Sequence, residues 1–278
     1  MSSIPFEDPR RVLKRHGLWA KRAYSQNFLI SERAVREIVQ ACELREDTPV
    51  VELGPGCGTL TFALASITRA LTAIDKDPDM LAVLAAERGD RKFEIVDGDA
   101  KEVDFGAYAR AAGRKVTVAG NLPYAITGSI FRNLVEQVAH VERAVLMVQR
   151  EVRDRLVAQP DSREYGALGI FCAQVFAVET VTHVPRTAFH PAPKVSSSVV
   201  RLTPHLQPRA AQTPEFEAIV RASFQARRKT LRNALQQAFG GESADRLLEL
   251  AGIDGKRRGE TLSIEEFAAL AAAMRKKV

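Results

Sequence analysis

Cysteine is scarce in this 278-residue sequence, with only Cys42, Cys57 and Cys172, far apart and none in C-x-x-C spacing. That excludes a disulfide scaffold and a cysteine-based zinc site, and it fits a reducing compartment. The five histidines are equally dispersed, so no metal site is expected. No apolar run approaches the roughly 20 residues that span a bilayer. The first residues lack the apolar segment of a secretory signal, so the expected location is the cytoplasm, with no membrane partner. Internal repeats and low-complexity runs are also absent.

What is present reads as globular. Hydrophobic residues make up 46% and charged residues 27% of the chain. The length suits one large domain and a smaller one. The formal net charge is +6, and its distribution is more telling than its size. Residues 1–30 carry a net +4, residues 204–278 another +4, and the stretch between them −2. A polyanion held by the two ends, with chemistry in the middle, would produce this pattern, although a merely soluble basic surface would too. The N-terminal cations Arg10, Arg11, Lys14, Arg15, Lys21 and Arg22 are interleaved with Trp19 and Tyr24. Glu7, Asp8 and the scarcity of serine argue against a transit peptide, so a flexible nucleic-acid arm is expected.

Strand and helix patterns alternate along most of the chain. Ser31 is placed to cap a helix over 31–44 with apolar positions at helical spacing. Strands are expected at 49–53, 71–74, 93–96, 115–119 and 144–148, separated by helices at 59–67, 77–88, 107–112 and 127–138. Residues 177–184 and 195–202 look extended and would close the sheet as an antiparallel pair. From Pro214 onward only helical patterns appear, over 214–226, 229–239, 243–251 and 263–275. The expected fold is α/β: a Rossmann-like domain with a mostly parallel seven-stranded sheet and helices on both faces, joined to a small all-α domain. The expected division is 1–203, with the basic arm, and 204–278.

Two motifs sit at strand ends, where open α/β sheets bind ligands. Gly54-Pro55-Gly56-Cys57-Gly58 is a G-x-G-x-G turn whose glycines let the backbone approach a ligand. Asp75 ends the next strand, where a carboxylate can accept from ribose hydroxyls. Asp99 follows the third strand and could accept from an adenine amino group. A dinucleotide would also suit a glycine turn and an acid, but the spacing departs from the G-x-G-x-x-G pyrophosphate fingerprint. S-adenosylmethionine is the favoured cofactor. A pair of solvated loop acids is the plainer alternative.

The second motif is Asn121-Leu122-Pro123-Tyr124, at the end of the fourth strand. The lone pair of an exocyclic purine amine is delocalised into the ring. Acceptors on its two N–H groups favour the tetrahedral nitrogen that can attack a methyl carbon. The Asn121 side-chain oxygen and the Leu122 carbonyl could be those acceptors. Pro123 fixes the turn, and Tyr124 offers a stacking face. In isolation these four residues are more often an ordinary strand-to-helix loop. Because a sulfonium methyl leaves without acid catalysis, alignment is the protein's task, and neither an acid/base pair nor a covalent intermediate is expected.

Gln26-Asn27-Phe28-Leu29, Glu52-Leu53-Gly54-Pro55-Gly56, Asn121-Leu122-Pro123-Tyr124 and Phe189-x-Pro-x-Pro-Lys194-Val195 occur in that order. In this the chain resembles the ribosomal RNA adenine dimethyltransferases over nearly its whole length. The stretch from Phe224 through Arg227, Arg228 and Lys229 to Leu235, and the tail around Arg257, Arg258, Glu260 and Leu262, resemble the small-subunit branch. The resemblance implies N6,N6-dimethylation of two adjacent adenines in the 3′-terminal hairpin of 16S ribosomal RNA; the expected partner is that RNA or the immature small subunit, and since nothing in the sequence demands a dimer, a monomer is expected. It implies cofactor contacts at Asn27, Leu29, Gly54, Asp75, Asp99 and Asn121, with Gly56 in the same loop. It also implies that Tyr124 and Phe189 sandwich a flipped adenine; the reading from the residues alone makes Phe189 a core residue. Where the family usually has Glu, this chain has Asp75, whose shorter side chain would sit farther from a ribose. The rival readings are a large-subunit adenine methyltransferase of the resistance type, a non-catalytic RNA-binding assembly or transcription factor on the same fold, and an NAD-dependent oxidoreductase. The last lacks a candidate acid/base residue.

Overall fold

The computed structural model describes residues 4–21, 26–225 and 229–276. The first element is a helix, α1 (Pro9–Arg15), with Asp8 as its N-cap and Pro9 in its first turn. Val12 and Leu13 on its inner side are buried in a cluster with Phe28, Cys57, Met80 and Val83. The expected flexible arm is therefore corrected over these residues. Its cations largely serve the protein itself: Arg15 pairs with Glu7 and Glu87, His16 reaches Glu87, and Lys21 bridges Asp77 and Asp79. Pro9, Val12 and Leu13 are the buried residues of a two-turn helix whose composition otherwise reads as a basic tail. Arg22, Tyr24 and Ser25 lie outside the described residues, as do residues 226–228, which include Arg227 and Arg228.

Strand β1 (Phe28–Leu29) leads to α2 (Glu32–Cys42), where the Ser31 hydroxyl accepts from the Ala34 N–H at 3.3 Å. Ala34, Val35, Ile38, Val39 and Cys42 form its buried face, as their spacing requires. Then β2 (Val50–Leu53), α3 (Thr59–Ala65), β3 (Leu71–Asp75), α4 (Pro78–Glu87), β4 (Glu94–Asp97), α5 (Phe105–Ala112), β5 (Val116–Asn121), α6 (Thr127–Glu136) and β6 (Val141–Gln149) alternate without exception. The next elements are α7 (Arg150–Leu156), α8 (Ala167–Val175), β7 (Phe176–Val184), β8 (Phe189–His190) and β9 (Ser197–Pro204).

The seven-stranded sheet has the order β4-β3-β2-β5-β6-β9-β7. Its first five strands are parallel neighbours, and β9 runs antiparallel to β6, with Ala144 opposite Leu202 and Gln149 opposite Ser197. Side-chain contacts between β7 and β9 join Glu179 to Arg201 and His183 to Ser198, so the chain directions oppose there too. That is the closing antiparallel pair expected from the extended patterns. Every residue of β2 is buried, as befits a strand covered on both faces, whereas edge strand β4 is partly exposed.

The chain divides into two compact units, Met1–Arg153 with Val178–Pro204, and Asp154–Ala177 with His205–Val278. Residues 154–177, expected in the first domain, belong to the second unit. Tyr165 and Ile170 enter a core with Phe216, Ile219, Leu262 and Phe267, and the Tyr165 hydroxyl donates to the Leu262 carbonyl at 2.8 Å. The second unit is otherwise built from α9 (Pro214–Gln225), α10 (Leu231–Phe239), α11 (Gly241–Ala251) and α12 (Ile264–Arg275). A reciprocal Ser263–Glu266 capping box starts α12, and Arg257 pairs with Glu266. Among the described residues no helix is long and apolar enough to cross a membrane.

Candidate active site

The parallel register brings the carboxyl ends of β2, β3 and β5 together, and the loops after them line a cleft. The turn after β2 enters α3 through Gly58, whose backbone is left-handed at φ +85°. A Cβ there would lie 2.6 Å from the Phe62 ring, so a larger residue is excluded by strain and by space. Gly120 matters for a different reason: a Cβ on it would sit 2.5 Å from the Leu53 carbonyl oxygen. Only glycine lets the end of β5 run this close to the turn that begins at Gly54.

That approach sets Asn121 beside the glycine loop. Its side-chain Nδ2 donates to the Asn27 backbone carbonyl at 2.9 Å. With the amide N–H₂ tethered, Oδ1 is the end left to a ligand. The Leu122 N–H donates to the Met147 carbonyl at 3.2 Å, anchoring the next peptide to β6. Pro123 holds φ −60°, and its carbonyl accepts from the Ile126 N–H and the Thr127 hydroxyl, both at 3.2 Å. Tyr124 is oriented by a 2.8 Å bond between its hydroxyl and that of Ser197, which is buried on β9. Burial raises the Tyr124 phenol above its ordinary pKa, and the Ser197 bond offsets part of that.

Asp75 already has two backbone partners. Oδ1 accepts from the Asp77 N–H at 3.0 Å and Oδ2 from the Gly56 N–H at 3.2 Å. Burial pushes its carboxyl upward, against the pull of those N–H groups. The shorter aspartate thus buttresses the glycine loop while each oxygen keeps a further lone pair. Asp99 is differently placed. Its Oδ1 accepts from the Lys101 N–H at 3.0 Å, and Oδ2 lies 3.2 Å from Lys76 Nζ and 3.3 Å from Lys101 Nζ. Burial would raise its pKa, but the Lys101 N–H and the two ammonium groups outweigh that and hold it below the ordinary carboxylate value. An adenine amine would therefore meet a carboxylate that is already ion-paired.

Of the residues singled out from sequence, Asn27, Leu29, Gly54, Gly56, Asp75, Asp99, Asn121, Leu122, Pro123 and Tyr124 all line this one cleft. Phe189 does not. It is 3% exposed and packed in the core with Val184, Ala188 and Val199, because β8 pairs with β1 and sets it opposite Leu29. The implied sandwich with Tyr124 is therefore not formed in this structure, and the core placement is the one observed.

Glu52 went unassigned in the sequence reading. It lies in β2, lines the cleft, is 1% exposed, and its Oε2 has no hydrogen-bond partner. Burial, with a smaller push from the Asp75 charge, raises its carboxyl to about 8. A charged residue inside the apolar run Val50-Val51-Glu52-Leu53 was the available signal.

The sheet order, the antiparallel β9 and the cleft at the strand ends define a Rossmann-like methyltransferase. A sequence model described as "Ribosomal RNA adenine dimethylase" matches residues 17–276, and the chain belongs to that family. A Myxococcus xanthus protein named "Ribosomal RNA small subunit methyltransferase A" is 46% identical, the match covering 96% of this chain and 95% of the relative. Among solved structures, a dimethyladenosine transferase from Plasmodium falciparum is similar with a TM-score of 0.78 at 24% identity, covering 90% of this chain and 98% of that one. The 23S rRNA methyltransferase ErmE follows with a TM-score of 0.66 at 25% identity, covering 90% of this chain and all of that one. The sequence relative is thus named for the small subunit and one of the similar folds for 23S rRNA.

Proposed function

We propose that this protein transfers methyl groups from S-adenosylmethionine to N6 of two adjacent adenines in the 3′-terminal hairpin of 16S ribosomal RNA, giving N6,N6-dimethyladenosines during small-subunit biogenesis. The observation that carries the reading is the tethered Asn121 amide, whose free oxygen stands beside a glycine turn and an oriented aromatic ring. The RNA substrate follows from family membership and from the name of the 46% identical relative.

The cleft suits the donor. Glu52 Oε2 is a buried carboxyl oxygen at its lining without a hydrogen-bond partner, which a polar group of the donor would satisfy. Asp75 has acceptor capacity left for ribose hydroxyls, and Gly54 and Gly56 place no side chain in the way. Asn27, Leu29 and Asp99 would complete the donor's surroundings. When bound, S-adenosylmethionine supplies a methyl carbon on a sulfonium that needs no acid to leave. The chain's own contribution is to hold and aim. Asn121 Oδ1 and the Leu122 carbonyl accept from the adenine amine, Pro123 fixes their spacing, and Tyr124 stacks on the base. The amine proton passes to water after transfer.

The second unit, with exposed Lys229, Lys256 and Arg258, is the proposed RNA-holding domain. The protein is proposed to act as a cytoplasmic monomer on an immature small subunit. Methyl incorporation from labelled donor into separately purified precursor subunits tests the whole reading. Label in two adjacent adenines of 16S RNA is expected. Label in 23S RNA would favour the resistance-type reading, and no label in either would favour a non-catalytic factor.

A further inference from the structure

Both anchors of the donor site are tied to the N-terminal segment. Asn121 is tethered to the Asn27 carbonyl, and Asp75 Oδ1 takes the N–H of Asp77. Asp77 is 0% exposed and commits both carboxylate oxygens to that segment. Oδ1 accepts from Lys21 Nζ at 2.6 Å, and Oδ2 accepts from Gln26 Nε2 at 2.7 Å. The Gln26 Oε1 in turn accepts from the Lys21 N–H at 2.9 Å, and Lys21 Nζ reaches Asp79 at 2.6 Å. Asp77 also caps α4 by accepting from the Asp79 N–H at 3.1 Å.

Capping alone does not account for this. A cap needs one acceptor, and serine, threonine or asparagine serves as well. A wholly buried carboxylate is costly unless its charge is matched, and here the match is a lysine 56 residues away. Gln26 and Asn27 themselves line the cleft, and α1 is seated on Phe28, Cys57, Met80 and Val83. The bonds among Lys21, Gln26 and Asp77 therefore connect a docked helix, the strip over the cleft and the turn that carries Asp75.

We propose that Lys21 and Asp77 are positioning residues: their ion pair seats residues 26–29 against the Asp75 turn, so that donor binding and seating of the N-terminal segment are one coupled equilibrium. The inference rests on the donor-site reading given above. Coupling of this kind is reciprocal: donor binding must tighten the segment by the factor by which the segment tightens donor binding.

The test uses the full chain and S-adenosylhomocysteine as a non-reacting probe, with its Kd measured by calorimetry. Lys21→Met and Asp77→Asn are each expected to raise Kd about tenfold, a coupling of ordinary size. The double variant is expected to be no worse than either single one, and Lys21→Arg should stay within about twofold of wild type. Asparagine keeps the α4 cap, and Lys21 lies at the protein surface, so neither change removes a core side chain. Amide exchange supplies the second readout: the probe should slow exchange across 10–18 in the wild type and not in Lys21→Met. Wild-type Kd in both single variants, or equal probe-induced protection in wild type and Lys21→Met, overturns the clamp. So does a fall in kcat at saturating donor with Kd unchanged. Wild-type protein that fails to bind the probe overturns the donor-site reading, and the clamp with it.

Discussion

Asn121 and Asn27, 94 positions apart in the chain, are joined by a 2.9 Å bond from a side-chain amide to a backbone carbonyl. The acceptor is main chain, so the two asparagines are not equivalent. Asn121→Ala removes the acceptor proposed for the adenine amine and should cut kcat by at least about 100-fold, the scale of losing one transition-state hydrogen-bond group. Asn27→Ala keeps the carbonyl and should act on KM for the donor instead. Steady-state kinetics with each substrate varied separates the two. Equal effects on kcat would contradict this division of roles.

Tyr124 carries two functions that one atom divides. Its hydroxyl meets Ser197 and its ring lines the cleft. Tyr124→Phe keeps the ring and should change RNA turnover only slightly. Tyr124→Ala removes a stacking face worth roughly 1–3 kcal/mol per base, so KM for RNA should rise roughly five- to hundredfold. If Tyr124→Phe were as damaging as Tyr124→Ala, the hydroxyl rather than the ring would be the working part.

Glu52 makes stability depend on pH in an unusual direction. Its folded carboxyl sits at about 8 against an ordinary 4.5. The folded protein therefore retains a proton that the unfolded chain releases. This contribution is complete below pH 4.5 and is lost as the pH rises to about 8, at no more than about 1.4 kcal/mol per pH unit. Glu52→Gln abolishes the titration, so its Tm should gain on that of the wild type steadily across this window. Parallel Tm curves would show that Glu52 is ionised in the folded protein.

The docked arm changes which cations should matter for RNA. Arg15 is engaged by Glu7 and Glu87, so Arg15→Ala should lower thermal stability slightly and leave the salt dependence of RNA binding unchanged. Arg11 and Lys14 are exposed on the same helix. Replacing both with alanine should weaken RNA binding and reduce the slope of log K against log salt by up to about 2, with Tm unaffected. Filter binding at several salt concentrations measures this.

The sheet was legible because strand and helix periods alternate with short loops, and each cap residue, Ser31 and Asp77 among them, sits where the pattern starts. Ten proposed site residues converge on one cleft because they fall at strand ends or in the strip beside them, positions that topology brings together. What stayed hidden is non-local. Nothing in the composition of residues 154–177 says that Tyr165 will bond to Leu262, 97 positions on. The buried side of α1 is Pro9, Val12 and Leu13, outnumbered by its cations. Phe189 read two ways because an aromatic ring before a proline-rich stretch can serve a core or a ligand; the pairing of β8 with β1 decides its place here.

The position of β9 has a consequence for synthesis. Strand β6, buried over residues 144–148 in the finished sheet, takes Leu202 opposite Ala144 and Ser197 opposite Gln149 as its closing partners. Those residues leave the ribosome only after the intervening stretch that belongs to the other unit. A nascent chain halted near residue 190 would carry a bare, apolar β6 border open to pairing with a neighbouring polypeptide. Stalled or truncated products of this gene should therefore be the sticky ones, and a chain extended past Pro204 the first to be safe.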